Sequence, residues 1–305
     1  MRPVAIVMLL SALCASAEIH RHPRGEVNPH DKYIRVVSEQ DSPLIKQYIA
    51  TRDGTYVAAA IRKPKGTGPF PAISYFHGAP GGRGMDQLVT WSLGTTGGPL
   101  WERLLQEGFV VIVSDYRRMP GRLAGPVVFG ENVGTNYVED GECVLEYVRS
   151  LPYVDKDRVA VYGVSLGGNL AAYLASRQKL AAVVFGAGAV MGFMNTSFGP
   201  NREMIADQET AAKNAAGITA PVLALVGTED PLMNLNIAFH DLLAKLGKDV
   251  QLHIYEGGYH DFVAGPQGQA HRKEPLLTST LEALDVTVAF LKQHMSAPAG
   301  TAAGR

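Results

Sequence analysis

Cysteine is almost absent: the 305 residues hold two, Cys14 and Cys143. Cys14 falls in an N-terminal stretch that reads as a removable leader, so Cys143 alone would stay with the mature chain and no internal disulfide is expected. Cys143 sits in helical spacing and reads as a small core residue. Net charge is also scarce, -1 at pH 7, which leaves no basic surface for phosphates and disfavours nucleic acid as a partner. The N-terminal apolar run is too short for a membrane span. No repeat, linker or shift in composition divides the chain. With 46% hydrophobic residues, it can build one large core, and a single α/β domain is expected.

Residues 1–17 read as an export signal. Arg2 supplies a thin positive start, Val4 to Leu13 an apolar stretch, and Ala15–Ser16–Ala17 an A-x-A cleavage site, so a periplasmic or secreted protein is expected. Bulky Leu13 before Cys14 argues against a lipoprotein. Residues 18–40 form an N-terminal extension. Its polar stretch Glu18–His30 carries His20, His22 and His30, for which a disordered start is favoured over a metal site. Residues 41–295 form the folded domain, and 296–305 a flexible tail.

Within the domain, Ile45–Thr51 and Tyr56–Arg62 flank Asp53–Gly54, a hairpin-turn dipeptide. Further apolar strands are expected at Phe70–Phe76, Phe109–Ser114, Val159–Tyr162, Ala181–Gly186, Pro221–Val226 and Val250–Tyr255. Between them lie a loop leading into a helix from about Leu100, and helices at Tyr137–Arg149, Asn169–Ser176 and Met233–Leu246. Leu276–His294 is the closing helix. This alternation implies a mostly parallel, doubly wound sheet of about eight strands, with an N-terminal antiparallel hairpin.

Gly163–Val164–Ser165–Leu166–Gly167 joins a buried strand to a small-residue helix, the pattern of a nucleophile elbow. The serine needs a strained turn to project above the sheet, and glycines leave room for the neighbouring strand and helix. The Leu166 N–H, at a helix N-terminus, is a candidate oxyanion donor. In such sheets functional loops follow the C-terminal strand ends. Those ends carry His77–Gly78–Ala79–Pro80–Gly81–Gly82, Asp115–Tyr116–Arg117, Ser165, Thr228–Glu229–Asp230–Pro231 and Gly257–Gly258–Tyr259–His260–Asp261. Nucleophile, acid and base thus occur in the order Ser165, Asp230, His260, which is the α/β-hydrolase order. Glu229 competes with Asp230, but Asp-Pro at a strand end suits a held carboxylate. His253 falls within a strand and His240 within a helix, and both are poorer bases. Ala79 is the candidate second oxyanion donor, with Gly81 and Gly82 turning its loop away.

His77-Gly-Ala-Pro, Asp115-Tyr-Arg, Tyr162-Gly-Val-Ser-Leu-Gly-Gly and Gly258-Tyr-His-Asp-Phe together resemble the α/β-hydrolase superfamily of the prolyl-oligopeptidase-like type, near its acylaminoacyl-peptidase and small-esterase branches. Tyr153-Val-Asp-Lys-Asp-Arg-Val adds to the likeness. The resemblance covers about Ile45 to His294 and implies an α/β-hydrolase fold. Two departures stand out. Ala79 replaces the second glycine of the usual His-Gly-Gly-Pro loop, and the stretch before Ile45 is too short for the family's β-propeller.

The expected chemistry is serine hydrolysis of carboxylic esters through Ser165, His260 and Asp230, without metal or organic cofactor. A small-molecule ester is the expected partner. A small-peptide or aminoacyl-amide peptidase is one alternative, and a non-catalytic binding protein on a hydrolase scaffold the other. Arg118–Gly134 and a short cap at Met191–Ala216 are expected to shape the pocket. Tyr116, Arg117, Met191 and Phe193 are the candidate substrate-binding residues.

Overall fold

The computed structural model describes residues 17–20, 41–93, 98–117, 135–200, 204–260, 262 and 276–296. The leader before Ala17, the histidines at 22 and 30, the 118–134 insertion and the tail from 297 lie outside the described residues.

Asp53–Gly54 turns β2 (Ile45–Ala50) back onto β3 (Tyr56–Arg62), with Gly54 at φ 82, a backbone region that disfavours side chains. Antiparallel pairing with β3 attaches this hairpin to β5 (Val110–Ser114). From there the sheet is parallel through β4 (Phe70–Phe76), β6 (Val154–Val164), β7 (Ala182–Gly186), β10 (Val222–Gly227) and β11 (Val250–Tyr255). The nine-stranded order ends on β1 (Ala17–His20).

That ninth strand departs from the expected disordered start. Ala17–His20 pairs in parallel with Leu252–Tyr255 along the free edge of β11. Such an edge offers a row of backbone donors and acceptors to any extended segment beside it. Nothing in the local polar composition announces this pairing.

Alternate strand residues feed two core layers. Val110, Ile112, Val159 and Val161 pack with Val144 of α3 (Thr135–Ser150), Leu170 of α4 (Leu166–Arg177) and Phe239 of α6 (Met233–Lys245). Val111, Val113, Ala160 and Tyr162 meet Leu88 of α1 (Met85–Ser92), Leu104 of α2 (Gly98–Gln106) and Leu291 of α7 (Leu276–Met295). Coverage on both faces is why the central strands are apolar throughout. Each Val, Leu, Ile or Phe side chain among these, taken fully from water, contributes about 1.5–3 kcal/mol. The expected loop before Leu100 instead contains α1, whose Met85, Leu88 and Trp91 are buried at helical spacing. Gly84 precedes it without a side-chain cap, so the usual start signal is missing.

The expected cap region holds a small antiparallel hairpin, β8 (Thr196–Phe198) with β9 (Met204–Ala206), and α5 (Gln208–Ala215). The Asp207 carboxylate accepts from the Glu209 and Thr210 N–H groups and starts α5.

Candidate active site

β6 delivers Ser165 and α4 leads away from it. Ser165 holds φ 52 and ψ -118, a conformation costly for a residue with a side chain. The surroundings over-determine it: its N–H donates to Gly186 O at 3.1 Å, and its carbonyl accepts from Gly168 at 2.9 Å and Ala189 at 2.8 Å. A Cβ at Gly163 would strike the Gly167 carbonyl, and one at Gly167 the Phe76 carbonyl. The two glycines are therefore what allow β6, α4 and β4 to close on the turn.

The other two residues arrive on the loops after β10 and β11. These loops are tied to each other: Glu229 N–H donates to Gly258 O at 3.0 Å, and Gly257 N–H to Thr228 Oγ1 at 2.9 Å. A Cβ at Gly227 would collide with the Gly258 carbonyl, so glycine permits the close approach. Ser165 Oγ lies 2.9 Å from His260 Nε2, and His260 Nδ1 lies 3.0 and 3.2 Å from the two Asp230 oxygens. Asp230 is buried and also accepts from the Leu232 N–H at 2.8 Å, whereas the His260 side chain is 38% exposed. With Nδ1–H directed at the carboxylate, Nε2 is left to accept from the serine hydroxyl.

On the other side of Ser165 runs the loop after β4. A Cβ built on Gly78 would stand 3.2 Å from Ser165 Cβ and 3.7 Å from its Oγ, so the loop passes beside the elbow serine with no room for a larger residue. Leu166 is the first residue of α4, and its N–H is among those a helix leaves without an internal acceptor.

Asp115, quoted from the sequence without a role, organises this loop. Its buried carboxylate accepts from Gly82 N–H (2.9 Å), Gly84 N–H (2.8 Å) and Tyr116 N–H (2.8 Å), and lies 3.0 Å from His77 Nε2. Burial alone would raise the carboxyl, but His77 and the backbone donors outweigh it and hold Asp115 below its ordinary value. The other His77 nitrogen, Nδ1, donates to Gly78 O at 2.7 Å. The ring stacks on Tyr116 at 4.7 Å and leans on Trp91 at 5.1 Å.

Of the four candidate substrate-binding residues, Tyr116, Arg117 and Phe193 are taken up by structural partners, and Met191 stays half-buried. Tyr116 is buried and donates its hydroxyl to His77 O at 2.8 Å, so it supports the loop from beneath. Arg117 binds the buried Asp140 carboxylate through Nε at 2.9 Å and also pairs with Asp53. Its guanidinium holds the Asp53 carboxyl well below the usual range. The two acids account for its charge as a structural bridge from the β2–β3 turn to α3. Phe193 is wholly buried among Tyr173 and Phe239, and Met191 is half-buried against the same cluster. Packing claims Phe193 because the cap turn is fastened down. Asn169 accepts from the Phe193 N–H at 2.9 Å and donates to Tyr137 Oη at 2.6 Å, while Asn214 donates to Phe193 O at 2.6 Å. Among the described residues, no group of three or more His, Cys, Asp or Glu side chains is placed to hold a metal ion. Nor is any described helix long and apolar enough to cross a membrane.

A doubly wound sheet with its elbow serine, histidine and aspartate gathered at one edge defines an α/β hydrolase. Residues 96–295 match the dienelactone hydrolase family, and the chain belongs to that family. An esterase of Pyrobaculum calidifontis superposes with a TM-score of 0.58 at 22% identity, covering 83% of this chain and 86% of that one. A thermostable esterase from Pseudomonas putida superposes with a TM-score of 0.60 at 19% identity, covering 86% of both. At such identities the likeness is one of fold. Among curated proteins, the quorum-quenching protein AidA of Acinetobacter baumannii is 29% identical over 136 residues, 42% of this chain. The matches span 38% of that relative's length, and 61% of an uncharacterized Mycobacterium tuberculosis protein's. The prolyl-oligopeptidase-like resemblance shares the fold, while the family shown is the dienelactone hydrolases.

Proposed function

We propose that the protein is a serine hydrolase of carboxylic esters working through an acyl-enzyme. The observation that carries this reading is the unbroken chain of contacts from Ser165 Oγ to His260 (2.9 Å) and from His260 to Asp230 (3.0 Å). Ser165 Oγ attacks the acyl carbonyl as His260 Nε2 takes its proton. Asp230 holds the tautomer and stabilises the imidazolium. The Leu166 and Ala79 N–H groups receive the oxyanion, and each such donor contributes roughly 3–4 kcal/mol of transition-state stabilisation. The alcohol leaves with the proton from His260, and water activated by the same ring then releases the acid.

The family and the esterase neighbours support an ester over an amide. A small-peptide or aminoacyl-amide substrate of the prolyl-oligopeptidase type is the competing outcome. Reacting the protein with a fluorophosphonate, alongside Ser165→Ala, tests the nucleophile. A panel of p-nitrophenyl esters, lactones and aminoacyl p-nitroanilides tests the bond. Lactones belong in it because the family is named for a cyclic ester. Labelling and ester turnover that both vanish in Ser165→Ala support the reading; a folded wild type that is not labelled refutes it. Export through residues 1–17 is part of the proposal, and N-terminal sequencing of the mature protein tests it. An intact Met1 would refute it.

A further inference from the structure

We propose that His77 and Asp115 are positioning residues that set the orientation of the Gly78–Ala79 peptide, and with it whether the Ala79 N–H faces the reacting carbonyl. This rests on the ester-hydrolase reading above and assigns the device that readies its oxyanion site.

The Gly78 carbonyl and the Ala79 N–H belong to the same trans peptide, so they point in opposite directions. His77 Nδ1 draws that carbonyl to itself at 2.7 Å. The N–H is thereby sent away from the ring. Gly78 lies against Ser165, within 3.7 Å of its Oγ for an added Cβ. Turning the peptide over would break the His77 bond and bring a carbonyl, an acceptor, towards a site that must receive negative charge.

The ring has little freedom to permit that turn. It is 2% exposed, stacked on Tyr116 at 4.7 Å, and held at Nε2 by Asp115 at 3.0 Å. The same carboxylate takes the Gly82 and Gly84 N–H groups, so it anchors the far side of the loop as well as the ring that steers its near side. Neither residue has to touch substrate. Their effect passes through one backbone amide.

Two replacements of His77 separate steering from simple anchoring. His77→Asn keeps an amide N–H donor near the Nδ1 position, where it reaches the Gly78 carbonyl but not Asp115. His77→Gln keeps a donor near the Nε2 position, where it reaches Asp115 but not the carbonyl. For each, kcat and KM would be measured on p-nitrophenyl acetate, with competent sites counted by fluorophosphonate titration carried to completion. Binding of a trifluoromethyl ketone, which forms an oxyanionic hemiketal on Ser165, would be compared with binding of acetate, the product.

The expected result is a kcat loss of about 100-fold in His77→Gln and about tenfold in His77→Asn, since removing an oxyanion donor costs about 10²–10³ in kcat. KM and acetate binding should stay within about threefold, and ketone affinity should fall in parallel with kcat. Equal losses in the two variants, or a smaller loss in His77→Gln, would overturn the inference. Should neither variant fold, Asp115→Asn decides it. A kcat loss of about tenfold or more with KM held supports the proposal, and an unchanged kcat per titrated site overturns it. A wild type that neither labels nor turns over ester removes the hydrolase reading and this inference together. A wild type that does both, with Asn and Gln alike, removes only the inference.

Discussion

Two imidazole–carboxylate pairs stand on the same sheet edge, on either side of Ser165, with the same 3.0 Å spacing. In one, His260 turns its second nitrogen to a hydroxyl and is 38% exposed. In the other, His77 turns its second nitrogen to a carbonyl and is buried between Tyr116 and Trp91. A ring facing a hydroxyl can take a proton and return it. One facing a carbonyl can only donate, and so it can hold backbone in place. On the function and the inference proposed above, the same two residue types would serve proton transfer on one side and geometry on the other. The difference lies in the partner of the second nitrogen and in access to solvent.

The largest effect expected from breaking this comparison is at Ser165, the proposed nucleophile, which lies between the two pairs. Ser165→Ala should lower kcat on p-nitrophenyl acetate by about 10⁶-fold, as loss of the nucleophile does in serine hydrolases, and abolish fluorophosphonate labelling. Asp230→Asn comes next. It keeps the shape but favours the wrong His260 tautomer, with an expected kcat loss of about 10⁴-fold and little change in KM. The His77 variants above should lie well below it, because they disturb a donor rather than the proton carrier. If His77→Gln matched Asp230→Asn, the division of labour between the two pairs would be lost.

Smaller effects concern stability and support. The Asp115 carboxyl is held below its unfolded value, so its contribution is present above the unfolded pKa and is lost as pH falls through the folded one. Denaturant unfolding of the wild type across the acid range should therefore show a decline that Asp115→Asn flattens. An equally steep decline in the variant would place the acid sensitivity elsewhere. Tyr116→Phe removes only the hydroxyl bond to His77 O. It should cost about 1 kcal/mol of stability, read by the same denaturant curves, and change kcat by less than about threefold.

The His260–Asp230 pair was far more legible in the sequence than the His77–Asp115 pair. Ser165 stands inside a contiguous strand–turn–helix pattern, and Asp230 and His260 each follow an apolar strand. Their convergence can be read because the turn chemistry is local and the strand order places the loops at one edge. Asp115 also follows a strand, but its partners His77, Gly82 and Gly84 lie 31 to 38 residues earlier. No spacing rule connects them. Arg117 misled for the same reason: a cation at a strand end suits a substrate carboxylate, while its actual acids are 23 and 64 residues away. The strand at Ala17–His20 is equally non-local, since it exists only where the β11 edge receives it.

The sequence by itself determined the elements that depend on neighbours along the chain: apolar strands buried on both faces, the Asp53–Gly54 turn, the glycine-flanked Ser165 and the order of acid and base. These follow from periodicity and backbone sterics, which act over a few residues. Only the tertiary structure decided which of two Asp–His pairs faces the hydroxyl and which the carbonyl, and which aromatic side chains the core claims. A side chain's role at such a site is set by what its remaining donor or acceptor meets, and that partner is chosen by how distant strands and loops pack.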